Sequence, residues 1–302
     1  MSSESFSRSA AIGVGLNVLG SALFAFMSGS THLLKPLTGE ELFGWRLLLT
    51  LPCLTVLLVV TDRWKEVIEL WGRILERPAF AAGRVLSSLI LTGQVWMFMW
   101  APLNGYALDV SLGYFLLPIF MVVLGRALFG DKVTRLQAVA CSLACVGIAF
   151  QLGLTGTLSW PAMFVCLGYP GYFVLRRISN TNTLGALWFD MLISMPISVY
   201  FVSRGVDVFA SSRDSLPWLI VGLGAISAGA LACHATSAAR LSTSVFGLLL
   251  YIEPVLLLAI ALVLGESIPQ EKWPTYGAIW AAVLTLVLEG ALLTWKRRRR
   301  LT

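Results

Sequence analysis

Apolar residues run through this chain in long uninterrupted blocks separated by short polar connections. The blocks fall at 10–28, 42–61, 80–101, 107–127, 133–152, 157–175, 184–203, 217–237, 243–264 and 273–294. Each has about the 20 residues that a helix needs to cross a hydrocarbon core of about 30 Å. The runs do not alternate apolar and polar positions, which excludes a closed barrel. A helix is then the structure that satisfies its own backbone in lipid. The pattern predicts an all-α integral membrane protein with ten transmembrane helices. The longest hydrophilic stretch, 62–79, sets Trp64 and Trp71 among charged residues and predicts an amphipathic helix lying along the inner membrane surface.

Composition supports this reading. Of 302 residues 57% are hydrophobic and 13% charged, against about 25% charged in a soluble domain that must hydrate its own surface. The net charge of +6 follows the spans. With the N-terminus in the cytoplasm, 17 Lys and Arg fall on inner segments, four on outer segments (Lys35, Arg204, Arg213, Lys272), and Arg46 lies within a span. That asymmetry predicts cytoplasmic N- and C-termini in the cell inner membrane. The basic run Lys296 to Arg300 then meets the inner leaflet rather than nucleic acid. Arg8, an apolar run and Ser28-Gly29-Ser30 resemble a short signal sequence, but cleavage would break the charge pattern; an uncleaved first helix is expected. Cys53, Cys141, Cys145, Cys166 and Cys233 all fall in spans without a C-x-x-C pair, as small packing residues do.

Two stretches are alike. Gly113-Tyr114-Phe115-Leu116-Leu117-Pro118 leads to Gly130-Asp131; Gly247, followed by Leu248 to Glu253 and Pro254, leads to Gly265-Glu266. The copies fall on spans four and five and on spans nine and ten. Five helices per copy is odd, so halves 1–155 and 156–302 would form two inverted five-helix repeats, with a substrate site between them near mid-membrane.

On these residues the chain resembles the EamA family of the drug/metabolite transporter superfamily, and its RarD-like branch in particular. The resemblance is closest from Trp100 to Leu152, with Asn104, Asp109, Ser111-Leu112-Gly113-Tyr114-Phe115, Pro118, Gly125, Gly130-Asp131 and Gly147. It returns at Tyr251-Ile252-x-Pro254 and Gly265-Glu266. It implies the ten-helix EamA fold and export of small metabolites such as amino acids, their derivatives, nucleosides or drugs. The chain departs from the branch at Trp45-Arg46, Gln94-Val95 and Leu117, where His-Arg, Asn-Trp and Asn are usual. These departures imply a different substrate.

A polar solute crossing such a bundle needs polar groups at depth, and each is costly enough there to need a reason. Glu253, placed mid-span before Pro254, is either a ligand for a substrate amine or proton, or a buried structural acid. Arg46 binds a substrate carboxylate, snorkels to the outer interface or pairs with Asp109. Asp190 is expected to pair with Arg176 or Arg177. Gln94 and Asn17 are cavity-lining candidates that could equally join helices. Tyr114 and Tyr251 occupy matching places in the repeats, and Glu289 is expected at the inner interface. Pro118 and Pro254 are candidate hinges, while Gly113, Gly125, Gly247 and Gly265 would allow close helix approach.

These residues favour a secondary exporter working by alternating access on an amino-acid-like solute or an amino-acid-derived metallophore. Drug efflux and flipping of a lipid-linked carrier are the alternatives. The expected partners are the substrate, the bilayer, a coupling proton and a second copy in a homodimer. No cofactor is expected. A membrane enzyme is disfavoured, because the chain lacks G-x-x-x-x-G-K-[ST], H-E-x-x-H and G-x-S-x-G and has only His32 and His234.

Overall fold

The computed structural model describes residues 3–130, 133–155, 159–205, 208, 214–241, 246, 249–263 and 270–298. Asp131, Gly247 and the Gly265-Glu266 pair lie outside the described residues, as do the side chain of Glu289 and those of the basic tail.

The described residues form eleven α-helices: α1 (Ser3–Gly29), α2 (Gly39–Val60), α3 (Lys65–Glu76), α4 (Pro78–Leu103), α5 (Ala107–Phe129), α6 (Arg135–Thr155), α7 (Trp160–Ile178), α8 (Leu184–Arg204), α9 (Leu216–Arg240), α10 (Ile252–Val263) and α11 (Trp273–Arg298). Their ends follow local chemistry. Thr38 and Glu41 form a reciprocal capping box at the start of α2, each side chain meeting the other's backbone N–H. Pro78, Pro161 and Pro217 stand in the first turns of α4, α7 and α9, where no backbone N–H is needed. α5 stops at Gly130, whose φ of 67° suits glycine.

Helices α1 (from Ser9), α2, α4, α5, α8 and α9 are long and apolar enough to cross a membrane, which makes this an all-α, multi-pass membrane protein. The other four expected spans also hold helices: α6, α7, α10 and α11. Outward-facing residues such as Val60 and Trp218, 78% and 77% exposed, are the apolar surface that lipid would cover.

Packing is dense and pairwise. α1 lies against α9 and α10, while α7 lies against α4 and α5. α2 meets α8 and α9, α4 meets α8, and α6 pairs with α11. Gly113 lets α5 close on α7: a Cβ there would sit 2.7 Å from the Ala162 carbonyl oxygen. The stretch 62–79 contains the expected amphipathic helix, α3. Val67 and Leu70 face the bundle; Ile68, Trp71 and Leu75 are exposed along another face. Trp71 also stacks on Phe189, and Glu66 accepts from the Gly185 N–H at the start of α8.

One expectation about the helices changes. Pro254 was expected mid-helix, but α10 begins at Ile252, directly after a turn at Leu250–Tyr251, so Pro254 stands in its first turn. A proline has no N–H for a preceding turn and is best tolerated there. Pro118, by contrast, is buried inside the continuous α5.

Candidate functional site

A cavity of about 70 Å³ penetrates the bundle between α4, α5, α7 and α9. Its inner part is walled by Phe24, Tyr114, Tyr169, His234 and Glu253, and it runs along α7 past Tyr172 and Phe173 to Arg176 and the exposed Asn182. A second cavity, about 50 Å³, enters from the opposite end of the bundle and is bordered by Ser28, His32, Phe98 and Pro102.

The larger cavity is built around a closed ring of aromatics. Phe24 meets Phe98, Phe98 meets Tyr114, and Tyr114 meets Tyr169. Tyr169 meets Phe173, Phe173 meets Phe246, Phe246 meets His234, and His234 returns to Phe24. Neighbouring centroids are 5.2 to 6.3 Å apart, within the range in which rings attract edge to face or offset. The rings come from α1, α4, α5, α7, α9 and the segment before α10, so they bind both halves of the chain to one space.

Two opposite charges lie near the inner end of the cavity, Glu253 in its wall and Arg46 behind it. Arg46, 2% exposed, holds its guanidinium carbon 5.5 Å from the Phe24 centroid and 5.4 Å from that of Phe98. A planar, weakly hydrated cation is well suited to such a place. Its Nε donates to Ser227 Oγ at 2.8 Å, while Nη1 is buried without a hydrogen-bond partner among the described residues. Asp109 is not its partner. Glu253, 6% exposed, lies close enough for its charge to act on Arg46, Tyr114 and Tyr169. No ion pair joins Arg46 to Glu253. The break before α10 puts this carboxylate in the first turn of a helix and at the cavity wall. The Phe24–Arg46–Phe98 layer therefore separates the two cavities.

The other candidates divide. Tyr114 lines the cavity and its hydroxyl donates to the Tyr169 hydroxyl at 3.3 Å; the missing N–H of Pro118 leaves the Tyr114 carbonyl without its helical partner. Gln94 instead joins helices: its Nε2 donates to the Phe164 carbonyl at 2.9 Å and it fills the space over Gly168. Asn17 is fully buried on α1, outside the cavity lining, with neither amide atom hydrogen-bonded among the described residues. Tyr251 packs into the apolar cluster of Leu112, Phe115 and Tyr276, away from the cavity. The matching positions of Tyr114 and Tyr251 thus have different surroundings.

Asp190 also has a different partner from the one expected. It is fully buried and pairs with Arg84 of α4, which donates to Oδ1. Arg176 reaches it indirectly, by donating to the Tyr172 hydroxyl at 2.5 Å, and that hydroxyl donates to Asp190 Oδ2 at 3.0 Å. Arg84, one of the 17 cations assigned to inner segments, is 2% exposed. The sequence did hold one signal for this wall: Tyr169, Tyr172, Phe173 and Arg176 repeat at helical spacing along α7.

An all-α membrane bundle, with a largely apolar cavity carrying a few polar groups at each end, suits a small-molecule transporter. Comparison with known proteins agrees. The chain is 37% identical over 293 residues to the chloramphenicol-sensitive protein RarD of Pseudomonas aeruginosa, spanning 95% of this chain and 97% of that protein. An uncharacterized transporter of Haemophilus influenzae is 34% identical over 92% of this chain and 94% of its own length. Protein RarD of Escherichia coli is 26% identical over 85% of this chain and 87% of its own. The chain belongs to the RarD family of transporters. No family model matches the sequence. The fold matches a crystal structure of another protein at a TM-score of 0.60, with 16% identity, over 93% of this chain and 96% of that one.

Proposed function

We propose that the protein is an inner-membrane secondary exporter of a small zwitterionic metabolite, amino-acid-like or derived from an amino acid, working by alternating access. The observation that carries the reading is the pair Arg46 and Glu253. Glu253 lines the cavity, and Arg46 lies behind its wall, near enough to feel that charge without closing on it, so a solute at this end would meet an acceptor for its amine beside a cation for its carboxylate. Uncompensated burial of both would be costly, and a bound zwitterion offsets that cost.

The helix contacts support two five-helix repeats, 1–155 and 156–302, and hence ten spans. Exchanging α1, α2, α4, α5 and α6 for α7, α8, α9, α10 and α11 turns α1·α9 into α7·α4 and α5·α7 into α10·α1, both of which are real contacts. It also turns α2·α9 into α8·α4, and returns α2·α8 and α6·α11 to themselves. A two-fold relation between the halves would give that pattern. With the charge distribution setting both termini in the cytoplasm, the larger cavity opens inward at Asn182, as an exporter waiting to load would. A proton on Glu253 could serve as the coupling ion.

The aromatic ring favours a second reading, efflux of planar aromatic drugs; one relative is named for its sensitivity to chloramphenicol. The test compares metabolite pools inside and outside a deletion strain, the wild type and a Glu253→Gln complement. Accumulation of one small zwitterion inside the deletion strain, not released by the variant despite normal insertion, is the expected result. Unchanged pools together with raised chloramphenicol sensitivity of the deletion strain would favour drug efflux. Unchanged pools and unchanged sensitivity would overturn both readings and leave flipping of a lipid-linked carrier.

A further inference from the structure

We infer that the cavity mouth holds a second anion-recognising site, centred on Arg176, which makes the preferred solute an elongated amino acid with a second acid group at its far end. The inference rests on the zwitterion reading of Arg46 and Glu253 and extends it.

The wall at the mouth carries an excess of positive charge. Arg84 and Arg176 are both buried, and together they face one carboxylate, Asp190, through the direct contact and the Tyr172 relay described above. One cation is left without a counter-charge in this cluster. Its place is Arg176, since Asp190 is bonded directly to Arg84. Arg176 also lines the cavity.

Arg176 is held in place without being used up. Its Nε donates to the Thr181 carbonyl at 3.0 Å and its Nη2 to the Thr183 carbonyl at 2.7 Å, which ties it to the α7–α8 connection. Of the five N–H groups of a guanidinium, three have partners among the described residues, which leaves one on each terminal nitrogen. A carboxylate can accept from both terminal nitrogens of one guanidinium plane. Asn182, exposed at the same mouth, adds an amide.

The spacing sets the length of the solute. Tyr169 is close enough to interact with both Arg46 and Glu253, and Arg176 is seven residues further along the same helix. At about 1.5 Å per residue the two ends of the cavity are about 10 Å apart along α7. Leu91, Leu117, Leu187 and Phe173 line the stretch between them, so the linking chain should be apolar.

The test uses two probes of equal length, 2-aminooctanoate and 2-aminosuberate, which differ in a terminal carboxylate. Affinities are measured by calorimetry on the purified full chain in detergent. The wild type should bind 2-aminosuberate at least tenfold more tightly, with the preference falling to within twofold in Arg176→Gln. Should Arg176→Gln fail to fold, Asn182→Asp, an exposed change, puts an anion at the mouth and should reduce the preference at least threefold; Asn182→Lys should increase it. Equal binding of both probes by the wild type would overturn the mouth site and leave the zwitterion reading standing. Binding of neither probe by a folded protein would overturn the zwitterion reading and this inference with it.

Discussion

At the scale of single residues, Arg46 and Glu253 make separable predictions. Glu253 has no hydrogen bond among the described residues, so Glu253→Gln should leave the melting temperature within a few degrees and cut substrate release at least tenfold. Thermal unfolding and efflux from preloaded cells would measure the two effects. Arg46 is tied down by two rings and a serine, and Arg46→Lys keeps the charge but loses the plane that lies between Phe24 and Phe98. A stacked cation contributes on the order of 1–2 kcal/mol when desolvated. The lysine variant should therefore lose both stability and transport, and a fully active lysine variant would show that charge alone matters. Sequence singled out both residues as charges in apolar runs, where a charge stands out, but set Glu253 in mid-span rather than in the first turn of a helix. It could not show that Arg46 avoids Asp109, because partners come from helix packing rather than from the chain.

At the scale of elements, the joints between helices carry the stability. Arg84→Met would leave Asp190 buried without its direct cation, a loss of about 3–5 kcal/mol. The double variant Arg84→Met/Asp190→Leu should recover most of that in denaturant or thermal unfolding, because no uncompensated charge remains. Similar losses in the single and double variants would overturn the assignment. Gly113→Leu would force α5 off α7, at about 1–3 kcal/mol for overpacking. Helix existence was legible from the length of the apolar runs, and so was the amphipathic α3. The break before α10 was not. Pro254 signalled an irregularity, but only the fold shows whether a proline stays inside a continuous helix, as in α5, or begins one. The aromatic ring was also hidden: its members come from separate helices, and only the α7 stripe repeats locally.

For the whole molecule, the expected topology puts the two cavities on opposite sides of the membrane. In a background without the five native cysteines, Asn182→Cys should react with a membrane-impermeant thiol reagent added from the cytoplasmic side, and His32→Cys from the other. Labelling of both from one side would overturn the ten-span arrangement with inner termini. The charge asymmetry of the loops is what predicts that arrangement, because it governs how a chain inserts. The substrate was less legible, because the cavity is assembled from seven helices and its chemistry depends on which side chains share a wall.

The thin Phe24–Arg46–Phe98 layer has an electrical consequence. Wherever solvent reaches both cavities, most of the membrane voltage must fall across that layer rather than across the full bilayer. Moving one elementary charge through such a potential is worth about 2.3 kcal/mol per 100 mV. A neutral zwitterion would cross without feeling it. An amino acid with a second ionised acid group would carry a net negative charge, and an interior-negative cell would drive it outward with no other energy source. Transport of such a solute should then generate a current whose size follows the imposed voltage.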